Sequence, residues 1–287
     1  MQRICFLTMD SLQDFVAYDH LVVDLLRRAG IHVQEVSWRN PDVCWDNYRL
    51  VVIRSTWDYQ QAPFKFLEAL EHIHRSSATL LNSLEIVRWN LRKLYLQAIE
   101  AEGSAIVPTL WLTSPGVQEL RDLFSRLNVS ELVVKPVIGA NADNAFRLTA
   151  TTSETELLRA ASAFQGSIAL AQPFIRSVVE RGEYSLIFFD GQFSHAVLKT
   201  PKAGDFRVQE EHGANIQPVT PSQELVEFAE QCHKAIPDAT LYSRVDLVLL
   251  ENQQPAVMEL ELIEPSLYLA FDELAAERFA RAICRRL

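Results

Sequence analysis

The chain has 287 residues, 48% of them hydrophobic, enough to bury a sizeable core in one large unit or in two or three subdomains. Its 27 basic and 37 acidic residues give a formal charge of -10, with the acids scattered. That balance argues against nucleic acid as a main partner, because phosphate binding relies on clustered Lys and Arg. Cys5, Cys44, Cys232 and Cys284 lie far apart with no C-x-x-C pair and no His at metal-ligand spacing, so reduced structural thiols are expected. No apolar run approaches the ~20 residues of a membrane span, and MQRICFLTMD lacks the apolar stretch and cleavage site of a signal peptide, which together predict a cytoplasmic protein with no membrane partner.

In chain order, ICFLT reads as a buried strand, YDHLVVDLLRRAG as an amphipathic helix closed by Gly30, IHVQEVSW as an alternating strand and LVVIRST as a second buried strand. This is a small α/β layer, and open α/β sheets place ligands beyond the carboxyl ends of their strands. Arg54, Ser55 and Asp58 follow LVVI at such an end and are substrate-binding candidates from that location. A turn onto the next helix explains the same stretch as well, and for Arg54, which would clamp a carboxylate bidentately, a domain-interface salt bridge is an equal alternative. Trp57 and Tyr59 read as packing residues.

APFKFLEALEHIHRS predicts a helix, and TLLNSLEIVRWNLRKLYLQAIEAEG contains a second one ending at Gly103. From AIVPT the pattern is strand, helix (SPGVQELRDLFSRL), strand (ELVVKPVI), loop and helix (SETELLRAASAF). Strands then dominate: ALAQPFI, EYSLIFFDGQFSHAVLKT, RVDLVLL and AVMELELI precede a closing helix, FDELAAERFARAICRRL. The expected fold class is α/β and α+β, divided as an N-terminal α/β domain over 1–84, a linker helix and central lid over 85–171, and a C-terminal sheet domain over 172–287.

SRVDLVLLENQQPAVMELELI reads as a hairpin. A turn centred between Asn252 and Gln253 sets Asp246 opposite Glu259, and period-two alternation puts Glu261 on the face of Glu259. Like charges opposed on a sheet are destabilising, and an unpaired buried carboxylate costs several kcal/mol, so the acids need cations. Oxygen-only ligands suit a hard divalent ion, Mg²⁺ or Mn²⁺; a solvated hairpin face paired with Lys or Arg is the plainer reading. Neither G-x-x-x-x-G-K-[ST] nor G-x-G-x-x-G is present to bind phosphates. Lys135, inside the valine run of ELVVKPVI, needs an anionic partner unless it snorkels to the surface. Lys93 is a weaker candidate, and Lys199 and Arg207 bracket the loop KTPKAGDFRVQ. His195 and His212 flank that loop as proton carriers or as ordinary histidines.

The ordered set Lys93, Lys135 before the loop GAN, QPFI followed by Glu183, GDFR, Asp246 and Glu259-x-Glu261 resembles the ATP-grasp superfamily, in its glutathione synthetase and ribosomal-protein glutamate ligase branch. The match runs from about residue 85 to the end, with the first 80 residues similar to the preceding α/β domain of that architecture. The resemblance implies that Lys93 and Lys135 hold nucleotide phosphates under a reduced glycine loop, Gly139, Ala140 and Asn141. Gln172, Pro173, Phe174 and Ile175 resemble the hinge that pairs with adenine, and Glu183 or Glu180 would hold the ribose. Asp246, Glu259 and Glu261 are similar to the ligands of two Mg²⁺ ions. Arg207 matches the arginine that stabilises an acyl phosphate, with Lys199 as its companion catalytic candidate, and Glu264 and Ser266 lie where substrate would bind. Two departures are the sparse glycine of the phosphate loop and Glu-Leu-Glu in place of Glu-Val-Asn, which adds a negative charge.

VVIRSTWDY, VRWNLRKLYL and MELELIEPSLYL resemble a bacterial group that includes an ATP-dependent cyclising ligase of D-cycloserine biosynthesis. The function implied is ATP- and Mg²⁺-dependent activation of a small-molecule carboxylate as an acyl phosphate, attacked by a nitrogen of another or of the same molecule. No protein nucleophile is needed, in keeping with the absence of G-x-S-x-G. The rivals are a silent nucleotide-binding module and a Mg²⁺-dependent phosphoesterase. A homodimer is the oligomer considered.

Overall fold

The computed structural model describes residues 2–139 and 143–287, and the described residues form three sheets. The first is parallel. It is built from β1 (Arg3–Thr8), α1 (Asp19–Arg28), β2 (His32–Ser37), β3 (Leu50–Ser55), α2 (Pro63–Arg75) and β4 (Thr79–Leu81), in the order β2-β1-β3-β4. β1 and β3 are apolar almost throughout because both of their faces are covered. The short β4 escapes the sequence pattern, since three residues show no periodicity.

The expected single helix before Gly103 is two, α3 (Leu84–Asn90) and α4 (Tyr95–Ala101). At the break the backbone turns outward: Lys93 donates its N–H at 2.8 Å to Val137 O, just past the end of a strand of the next sheet. That sheet comprises β5 (Leu110–Thr113), α5 (Val117–Leu127), β6 (Glu131–Pro136), β7 (Phe146–Thr149), α6 (Glu154–Ala163) and β8 (Ile168–Pro173). It is antiparallel, ordered β5-β8-β6-β7, with Leu120 and Leu123 of α5 and Leu157 and Phe164 of α6 and its end packed on the Leu112, Leu132, Val134 and Leu148 side of the sheet. β7 falls where a loop was expected. β8 belongs to this lid and crosses the expected 171/172 boundary.

The third sheet follows α7 (Arg176–Glu180) and contains β9 (Glu183–Phe189), β10 (Gln192–Thr200), β11 (Asn215–Val219), β12 (Tyr242–Leu249) and β13 (Pro255–Glu261), ordered β11-β10-β9-β12-β13 and antiparallel. Between β11 and β12 lies α8 (Gln223–Cys232), unread in the sequence although Ser222 caps it by accepting from Leu225 N; α9 (Ala275–Arg285) closes the chain. The first and third sheets share one core, in which Phe6, Val22 and Leu26 meet Phe189, Tyr242 and Phe279. No helix among the described residues is long and apolar enough to cross a membrane.

Candidate active site

The β12–β13 hairpin sets Asp246 opposite Glu259, by a route different from the expected one. Leu249 pairs with Pro255, which centres the turn on Asn252, and a bulge between Asp246 and Leu247 then shifts the register by one. The bulge turns Met258 toward the cleft as well, 4.0 Å from Lys135 Nζ.

Each acid of the patch meets protein cations. Glu259 sits between two lysines from separate elements, with Lys93 Nζ and Lys135 Nζ each 2.8 Å from one of its oxygens. Burial opposes ionisation there, yet the two ammonium groups hold Glu259 well below the usual carboxylate range. Asp246 accepts from Arg244 at 2.9 Å and from Ser185 Oγ at 2.5 Å, and lies 3.4 Å from Lys199. Glu261 shares Arg244, at 2.5 Å. Lys199 also pairs with Glu183 at 2.6 Å. Gly182 makes that last contact possible: at φ +101, an added Cβ would stand 2.9 Å from Leu198 and from Lys199 O.

These cations do not neutralise the whole patch. Burial, with Asp246 and Glu259 as negative neighbours, raises the Glu261 carboxyl to about 7. Burial, with Glu261, raises Glu264 to about 8. Carboxyls short of positive charge around an oxygen-only donor set fit a hard divalent cation. As the side chains stand, no three acidic, His or Cys groups among the described residues converge as a metal cluster. Lysines and an arginine hold the acids instead.

The cleft above this patch is closed on its other side by the lid. Lys135, Val133 and Gly139 line it from β6 and the turn after it, and Gln172, Pro173, Phe174 and Ile175 from the end of β8. β5 pairs no further than Ala171, so beyond that point the backbone of β8 has a strand partner on one side only. The Phe174 ring is covered by the Arg147 guanidinium, 3.8 Å from its centroid. Ala140 and Asn141 lie outside the described residues.

Arg207 lines the cleft from the loop after β10, held by Asp205 at 2.7 Å. Its hydrogen bonds keep Asp205 well below the usual carboxylate range. Tyr18 of the first region donates to Glu210 of the same loop at 2.9 Å. Glu264 and Ser266 line the cleft, and the Trp57 indole N–H donates at 2.8 Å to Glu264 O.

Several expected residues are elsewhere. Arg54 is buried in a 2.8 Å pair with Asp19, its guanidinium 5.5 Å from the ring centroids of Tyr242 and Phe279, and does not reach the cleft. Ser55 is buried beside it, and Asp58 is engaged by Trp38 Nε1 at 2.7 Å and Arg39 Nε at 2.8 Å. Charge at the carboxyl end of β3 is thus used within the fold. Glu180 is exposed on α7, outside the cleft, while Glu183 lines it. His195 is buried with its Nε2–H donating to Leu267 O at 2.9 Å, and burial lowers it to about 4, so the ring is uncharged near neutrality. Trp57 and Tyr59 pack as expected, Trp57 stacked on Phe15 and Tyr59 against Phe66 in a buried core, and both also border the cleft. The sequence reading missed Asn90, Tyr95, Arg244 and Tyr268, which also line it. Arg244 had a signal, two residues before Asp246 on one strand face.

A lid sheet and a carboxylate-bearing hairpin that enclose two lysines define an ATP-grasp enzyme. Residues 4–82 match the family model described as the N-terminal domain of D-cycloserine synthetase DcsG, and residues 93–250 that of the prokaryotic glutathione synthetase ATP-grasp domain. The cycloserine biosynthesis protein DcsG of Streptomyces lavendulae is 33% identical over 304 residues, covering 99% of each chain. The crystal structure of D-cycloserine synthetase DcsG matches with a TM-score of 0.87 at 30% identity, over 99% of both chains. D-Alanine–D-alanine ligase from Bacillus anthracis shares the fold, with a TM-score of 0.69 at 15% identity over 99% of this chain and 95% of that one. The chain belongs to the ATP-grasp family, in the branch that contains DcsG, and is an ATP-dependent carboxylate–amine ligase.

Proposed function

We propose that this ligase activates the carboxylate of a small amino-acid-like substrate and closes a ring onto a nitrogen of the same molecule. One observation carries the assignment of the site: lysines from the linker and from the lid meet on Glu259 of the C-terminal hairpin. Such convergence of cations and acid suits polyphosphate and its metal together. The ring-closing step rests on likeness to a protein named for making D-cycloserine, a cyclic product.

In this reading ATP enters with adenine against the end of β8, Gln172 to Ile175, its ribose near Glu183 and its phosphates at Lys93 and Lys135, beneath the turn that begins at Gly139. Phosphates compete with Glu259 for both lysines, and Asp246, Glu259 and Glu261 would be the residues to hold Mg²⁺. Bound there, Mg²⁺ (two ions in the fullest form, with Mn²⁺ as a substitute) supplies charge neutralisation on the phosphates. The substrate lies against Glu264 and Ser266. Its carboxylate oxygen bonds to the γ-phosphorus as the bond to the ADP oxygen breaks, with Arg207 and Lys199 neutralising the charge that develops. The nitrogen then attacks the acyl carbon, phosphate leaves, and the closed cleft keeps water from the intermediate. A silent module and a phosphoesterase gain no support from the relatives.

The test supplies MgATP and amino-acid-like carboxylates carrying a nitrogen within ring-closing reach, with products read by mass spectrometry. Ring closure gives a product lighter than the substrate by one water, with ADP and phosphate in equal amounts and no second amine required. A condensation product that appears only with an added amine would overturn the intramolecular step.

A further inference from the structure

β13 is an edge strand, and an edge leaves a row of N–H and C=O groups without partners. At its start the row is covered by backbone: Val257 N donates to Ala105 O at 2.9 Å and Val257 O accepts from Val107 N at 3.1 Å. Beyond the bulge, where Glu259 and Glu261 stand, side chains take over. Tyr95 Oη accepts from Leu260 N at 3.2 Å, and the Asn90 amide spans the rest, donating to Leu260 O and accepting from Leu262 N, each at 2.9 Å. A single buried amide makes both bonds that a neighbouring strand would make, and no strand stands in the way of the cleft.

Asn90 ends α3, and Lys93 follows three residues later. Lys93 gives its backbone N–H to Val137 O and its ammonium to Glu259. One four-residue segment therefore grips the edge of the acidic strand, the lid and the principal carboxylate. We propose that Asn90 is a positioning residue that sets Glu259 and Glu261 at their working distance from the phosphate lysines, so that its loss weakens metal-dependent nucleotide binding more than it weakens the fold. This rests on the reading of the cleft as a MgATP site.

Asn82 is a matched control. Its buried amide donates to Tyr242 O at 2.9 Å and Leu262 O at 2.8 Å and accepts from Leu241 N at 2.6 Å, yet it does not line the cleft. The experiment is calorimetric titration of ATP at a series of MgCl₂ concentrations, on the full chain as wild type, Asn90→Leu, Asn90→Asp and Asn82→Leu. Both leucine variants should melt earlier than wild type. Only Asn90→Leu should need about 10- to 100-fold more Mg²⁺ to reach tight binding, the usual effect of losing a residue that orients metal ligands. Asn90→Asp keeps the acceptor for Leu262 N and loses the donor to Leu260 O, so it should fall between Asn90→Leu and wild type, and it carries the test if Asn90→Leu fails to fold. Equal Mg²⁺ dependence in wild type and the Asn90 variants would overturn the proposal while leaving the MgATP reading intact. A wild type that binds no ATP at any Mg²⁺ concentration would overturn both.

Discussion

The end of β3 and the β12–β13 hairpin carry the same sequence feature, charged residues set in apolar strand runs, and use it in opposite ways. At β3 the charges close on each other: Arg54 pairs with Asp19 under two aromatic rings, and Asp58 is taken by Arg39 and Trp38. On the hairpin, Glu259 and Glu261 face an open cleft and are met by lysines and an arginine that line the same cleft. A buried charge whose partner lies away from any cleft serves the fold; one whose partners line a cleft can exchange them for a ligand. The two regions should therefore fail differently when broken.

The largest effect is expected at β3. Arg54→Met leaves Asp19 buried without its cation and should cost about 3–5 kcal/mol of stability, read by denaturant unfolding. KM for ATP should stay at the wild-type value in the fraction that folds. At the hairpin the pattern reverses. On the proposed reading, Lys135→Met removes one charged contact to phosphate, worth about 1.5–3 kcal/mol, and should lower kcat/KM for ATP by about 10- to 100-fold. Unfolding should change little, because Lys93 still holds Glu259.

Acid sharpens the comparison. Burial lowers His195 and His233 from 6.5 to about 4 in the folded chain, so the unfolded chain binds more protons as pH drops through 6.5. Stability should fall over that window, by on the order of 1 kcal/mol per histidine at about pH 5.5. Replacing both with glutamine should flatten that limb of the melting-temperature profile. The smallest effect is expected outside both regions, where the segment before α1 meets the loop after β10. Tyr18→Phe removes the hydrogen bond to Glu210 and should cost about 0.5–1.5 kcal/mol. It should also make the loop around Lys202 cleave faster in limited trypsin digestion.

The contrast also explains what the sequence made legible. Lys135, Asp246, Glu259 and Glu261 stood out because each interrupts an apolar strand run, Lys93 through its place in the ordered set that resembles the family, and all five line one cleft. Arg54 stood out from its place at the carboxyl end of β3 and lies elsewhere, in a buried pair with Asp19, because strand position says nothing about which partner a charge will find. Asn90 gave no signal, since its role is to pair with backbone that lies 170 residues away in sequence. The register of the hairpin was anticipated correctly while the bulge that produces it was not, two offsets of one residue having cancelled. β4, β7 and β11 were missed for want of length: strands of 3–5 residues carry too little alternation to read.

In the proposed function Glu259 is a metal ligand held in reserve by Lys93 and Lys135. Calorimetric titration of ATP into wild type and Glu259→Gln, with MgCl₂ and with chelator, tests it most directly. The account predicts that Mg²⁺ tightens ATP binding in wild type, and that Glu259→Gln binds metal-free ATP at least as well as wild type while gaining nothing from Mg²⁺. Full Mg²⁺ enhancement in Glu259→Gln, or no ATP binding by wild type, would contradict it.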